Sequence, residues 1–61
     1  MNDEEFVALI NSALGNSNVA EIANGLHVSI PSVERWAQGK NLPVKSMRPL
    51  VASWLKGKGI A

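Results

Sequence analysis

Apolar positions fall at helical spacing almost from the first residue. Between residues 3 and 14, Phe6, Ile10, Ala13 and Leu14 stand four, three and one positions apart, the stripe of an amphipathic helix. Asn2 or Asp3 can cap it. Glu4 and Glu5 occupy the first turn, where the helix dipole favours anions, and Gly15 follows as a C-terminal stop. This helix is expected to be structural, covering one side of the core. Asn16-Ser17-Asn18 is a run of cap formers, so Ser17 or Asn18 opens a second helix with Ala20, Ile22, Ala23 and Leu26 inward. The small Ala23 lets another helix cross closely. Gly25, which costs roughly 1 kcal/mol against alanine inside a helix, fits a helix about to end.

His27 then falls at a turn, and histidine is among the non-glycine types enriched at positive φ. We read it as a turn residue rather than a catalyst or ligand. Val28 is expected to plug the junction between two short helices. Ser29 is a strong N-cap and Pro31 suits a first turn, so a third helix runs from about Ile30 to Gln38. Val33, Trp36 and Ala37 form its buried face, and Gly39, Asn41 and Pro43 end it. Ile30, Pro31, Ser32, Glu34 and Arg35 are left outward. An exposed Ile-Pro pair is not what solubility would choose, so it reads as a contact surface. Ser46 caps a last helix to about Lys56, with Pro49 in its first turn. Met47, Leu50, Val51, Trp54 and Leu55 give that helix two apolar flanks: either one covers the core and the other a partner, or all five are core. The pattern predicts an all-α globule of four to five helices over residues 1–56, followed by a loose tail at 57–61.

Composition narrows the function. A chain of 61 residues buries only about 60% of its unfolded surface, and without cysteine it has no disulfide to help. One histidine and scattered carboxylates make no tetrahedral metal site, so neither metal nor cofactor is expected. An enzyme is not expected either. No nucleophile has a plausible base, no acid pair has metal spacing, and Gly57 to Gly59 is too short for a phosphate loop. The longest apolar run, Phe6 to Ile10, falls far short of the roughly 20 residues of a membrane span. An acidic rather than basic start does not read as a secretory signal, and absence of cysteine fits a reducing cytoplasm.

Net charge is +1, but its distribution is uneven. All five acids (Asp3, Glu4, Glu5, Glu21, Glu34) precede residue 35, and all six bases (Arg35, Lys40, Lys45, Arg48, Lys56, Lys58) follow Glu34. Such asymmetry points towards a polyanionic partner, the alternative being two halves that attract each other.

The stretch Asn18–Gly39 resembles the helix-turn-helix of phage Cro proteins and phage repressor DNA-binding domains. The resemblance rests on Ala20-Glu21-Ile22-Ala23, Leu26, His27, Val28-Ser29, Val33 and Arg35-Trp36 ahead of Gly39. Leu42-Pro43 and the last helix extend it over nearly the whole chain. Two departures are His27, where glycine is usual, and Ile30-Pro31, where that family often has polar base readers. The resemblance implies a lambda repressor-like fold and a cytoplasmic repressor, in a prokaryotic cell or a phage-infected host, that binds double-stranded DNA in the major groove. By position, Ile30, Pro31, Ser32 and Arg35 are then the base readers, with Arg35 suited to guanine and Ile30 and Pro31 to thymine methyls. Glu34 either accepts from cytosine, positions Arg35 or points away. Phosphates would meet the N–H groups of Asn18 and Val19, and Gln38, Lys40 and Lys45. Arg48 either joins them or pairs with an acid. The resemblance also implies a weak homodimer, anchored at Trp54 and Leu55. The rival reading is a protein-interaction module, an antitoxin or regulatory subunit, built on the same scaffold.

Overall fold

The computed structural model covers residues 1–61 and contains helices only. Helix α1 (Asp3–Asn16) opens with a capping box: Asn2 Oδ1 accepts from the Glu5 N–H at 2.8 Å, and Glu5 Oε1 accepts from the Asn2 N–H at 2.9 Å. Asn2, not Asp3, is therefore the cap. Phe6, Ile10 and Ala13 form the buried stripe. The helix does not stop at Gly15 as expected. It continues to Asn16 and breaks at Ser17, whose backbone is extended.

Helix α2 (Val19–Leu26) begins at Asn18, whose Oδ1 accepts from the Glu21 N–H. This choice of cap sets which residues turn inward. Val19, Ile22, Ala23 and Leu26 lie at i, i+3, i+4 and i+7 and face the core, while Ala20, expected inside, is exposed. The helix ends at His27, in the left-handed conformation (φ 58°, ψ 39°). The Val28 N–H donates to the Ala23 carbonyl and the His27 N–H to that of Asn24. These bonds form a Schellman ending, with half-buried Val28 packed against the core.

Helix α3 (Ile30–Ala37) starts at Ser29, whose Oγ accepts from the Ser32 N–H at 3.2 Å, and has Pro31 in its first turn. It buries Val33 and Trp36. Gly39, at φ 77°, ends it the same way: the Lys40 N–H donates to Arg35 O and the Gly39 N–H to Trp36 O. Ser46 is not a cap. A 3₁₀ turn, Lys45–Met47, comes first, and α4 (Arg48–Gly57) starts without a side-chain cap.

Phe6, Ile10, Ile22, Val33 and Leu55 are the largest fully buried side chains. Phe6 meets Trp36 edge-on, with centroids 5.6 Å apart. The segment 57–61 is not a loose tail. Gly59 turns at φ 72°, the Ile60 N–H donates to Leu55 O, and the Ile60 side chain enters the core. Gly25 is likewise more than a weak helix residue. The Trp54 indole lies against it, and a Cβ there would overlap ring carbons Cζ2 and Cη2. The resulting globule measures 22 × 22 × 19 Å, and no helix is long and apolar enough to cross a membrane.

Candidate nucleic-acid interface

At 100° per residue, burying Val33, Trp36 and Ala37 turns Pro31, Glu34, Arg35 and Gln38 to the opposite side of α3. All four are exposed, and Ile30, 42% exposed, stands at the margin of the same face. Ser32 differs from its neighbours: it is half-buried, with its hydroxyl 2.8 Å from Ser29 Oγ. Its position at the cap leaves it a minor part of the outward surface. Glu34 does not pair with Arg35; the ion pair present is between Arg48 and Asp3. Glu34 thus stands on the outward face with Pro31 and Gln38, as spacing predicts, and does not position Arg35 through an ion pair.

The segment after α3 is held firmly. Trp36 Nε1–H donates to Asn41 O at 3.1 Å, and Asn11 Nδ2 donates to Ala37 O at 3.0 Å. Together with the Lys40 N–H bond to Arg35 O at 2.8 Å, these fix exposed Lys40 just beyond the C-terminal end of α3. Arg35, Gln38 and Lys40 are thus all exposed, on α3 or directly after it, without an intramolecular ion pair.

The other expected phosphate contacts are less favourably set. At the start of α2, the Val19 N–H has no intramolecular acceptor, as expected of a first helical residue, and its side chain is half-buried. Asn18 keeps its amide N–H₂ free while its Oδ1 caps the helix. However, the Glu21 carboxylate is held near this helix end by the Ser17 hydroxyl at 2.9 Å, so an incoming phosphate meets a negative neighbour. Lys45 lines an open cleft with Asn2, Asp3 and Glu4, so a phosphate there would also meet carboxylates. Arg48 is no phosphate contact at all. It is 6% exposed, with Nη1 2.7 Å from Asp3 Oδ1.

Of Trp54 and Leu55, the residues expected at a dimer contact, the structure withdraws Leu55 from the surface. Leu55 is 0% exposed, in the centre of the core. Trp54 is half-buried over Gly25, with the Lys58 ammonium 5.7 Å from its ring centroid. The apolar side chains left outside are Val44, Met47 and Leu50, at 66, 44 and 69% exposure. They stand three apart along the chain, at the end of the loop, in the 3₁₀ turn and in the first turn of α4. Helical periodicity alone misses Val44, because it precedes both the 3₁₀ turn and the helix.

Comparison with protein-family models, curated proteins and solved structures gave no match.

Proposed function

We propose that α2, the turn at His27 and α3 form a DNA-binding helix-turn-helix, and that the chain is a small sequence-specific, Cro-like transcriptional repressor. The observation that carries this reading is the outward face of α3. It presents Arg35 and Gln38 uncovered, with Lys40 fixed at its end, on a helix braced from behind by Val33 and Trp36. In this arrangement α3 enters the major groove and its outer side chains meet base edges. Arg35 makes the bidentate contact with guanine, worth about 1–3 kcal/mol of discrimination. Lys40 and Gln38 hold the flanking backbone, and the Lys40 contribution falls as salt rises. The start of α2 and Lys45 are secondary contacts, given their acidic neighbours. A homodimer would form through Val44, Met47 and Leu50, placing two α3 helices about 34 Å apart on successive turns of DNA.

A backbone-amide NMR titration with short random-sequence duplex DNA, at low and moderate salt, tests this reading. Shifts are expected over Ile30–Arg35 and Gln38–Lys40, fading as salt rises, with affinity reduced about tenfold in Arg35→Ala. Amides that do not move at low salt would reject it. A second reading, a protein-interaction module, is favoured by the exposure of Ile30 and Pro31. It requires binding that is insensitive to salt and damaged more by Ile30→Ala than by Lys40→Ala.

A further inference from the structure

The first turn of α3 has an unusual chemistry for a surface that meets bases. In the major groove, base edges offer hydrogen-bond donors, acceptors and one apolar group, the C5-methyl of a pyrimidine. Ile30 and Pro31 are both exposed and have no polar side-chain atom, and Pro31 also lacks an N–H. The polar residues of the same turn are engaged with each other. Ser29 and Ser32 Oγ lie 2.8 Å apart, and Ser29 Oγ accepts the Ser32 N–H. The side chains standing free at this end of α3 therefore match the methyl group alone.

Glu34 adds a second condition. It lies four residues after Ile30 and three after Pro31, is exposed, and has no basic partner within ion-pair distance. An ionised carboxylate only accepts hydrogen bonds, so it suits an amino group and is repelled by the carbonyl edges of guanine and thymine. A methyl beside an amino group occurs on one ring in 5-methylcytosine. With thymine, the amino group comes from an adjacent adenine or cytosine.

We infer that the first turn of α3 reads 5-methylpyrimidines: Ile30 and Pro31 cover a C5-methyl in the major groove while Glu34 accepts from a neighbouring amino group. This rests on the DNA-binding reading above and names the base feature that α3 selects. Covering one methyl corresponds to about a fourfold gain in affinity.

Four short duplexes test it by fluorescence anisotropy with the full chain at low salt: alternating d(A-T), its d(A-U) counterpart, alternating d(G-C), and the same with 5-methylcytosine. The methyl-bearing member of at least one pair is expected to bind about fourfold more tightly for each methyl covered, and the pair that shows the gain assigns thymine or 5-methylcytosine. In Ile30→Ala, checked for native helicity by circular dichroism, the ratio within that pair is expected to fall towards one. Salt-dependent binding with equal affinity within both pairs would overturn the methyl reading and leave DNA binding standing. A ratio that persists in Ile30→Ala would overturn it too, by locating the preference in the DNA. No binding to any of the four duplexes would overturn both readings.

Discussion

Arg48 is the charged side chain that this fold buries, and its surroundings explain how. Nε donates to Pro43 O at 3.0 Å, and Nη1 donates to Met1 O at 3.3 Å and to Asp3 Oδ1 at 2.7 Å. The guanidinium carbon sits 5.7 Å from the centroid of the Phe6 ring. One planar group thus joins the chain start, α1 and the loop before the 3₁₀ turn, which an ammonium could not match in geometry. Two of its three acceptors are neutral carbonyls, and the Asp3 side chain is 71% exposed. Arg48→Ala is therefore expected to lower stability by about 2 kcal/mol, through lost hydrogen bonds and lost packing of the stem. Asp3→Asn should cost less than about 1 kcal/mol, because an exposed partner is well solvated once released. Urea unfolding of the two variants separates these outcomes; equal losses would mean that the ion pair dominates. The sequence left Arg48 between two roles for a physical reason. Its acceptors lie far away along the chain or are backbone carbonyls, and neither leaves a local pattern.

Each of the last three chain reversals after a helix uses the same device: a residue at positive φ and two bonds back into the final turn, at His27, Gly39 and Gly59. Such endings are legible because they depend on residue type at one position. The histidine turn, the cap at Ser29 and the stop at Gly39 could all be read from the chain alone. The contacts between helices were less visible. Gly25 looked like a mere weakness in α2, yet it is the flat site on which Trp54 rests, so α2 and α4 approach across a missing side chain. The same contact half-buries Trp54. Gly25→Ala accordingly opposes two effects: alanine improves helix propensity by about 1 kcal/mol, while the methyl must displace an indole. The displacement should win, giving a net loss of about 1–2 kcal/mol by chemical denaturation together with a change in tryptophan fluorescence. A stabilised variant with unchanged fluorescence would show that the ring gives way at no cost.

For the whole molecule, the decisive departure from the sequence pattern is Ile60. It follows three small or charged residues and belongs to no periodic stripe, which is why 57–61 read as solvent-facing. The turn at Gly59 brings it into contact with the core, where it is 9% exposed. In a domain this small, few buried side chains share the stabilisation, so Ile60→Ala is expected to cost about 2–3 kcal/mol. That loss should lower the midpoint of thermal unfolding by roughly 10 °C or more, read by circular dichroism. A shift of only a degree or two would mean that the burial of Ile60 adds little to the stability of the folded chain. The bonds at the two ends of the chain also carry a mechanical consequence. Met1 O is held by Arg48 beside the start of α1, and Ile60 O accepts from Asn16 at its end. Those points are separated by the length of α1, 14 residues or about 21 Å. A neighbour attached before Met1 and another after Ala61 would leave from opposite poles of the globule. Tension between them would run along the axis of α1, shearing that helix against its packing rather than peeling the outer helices away one at a time.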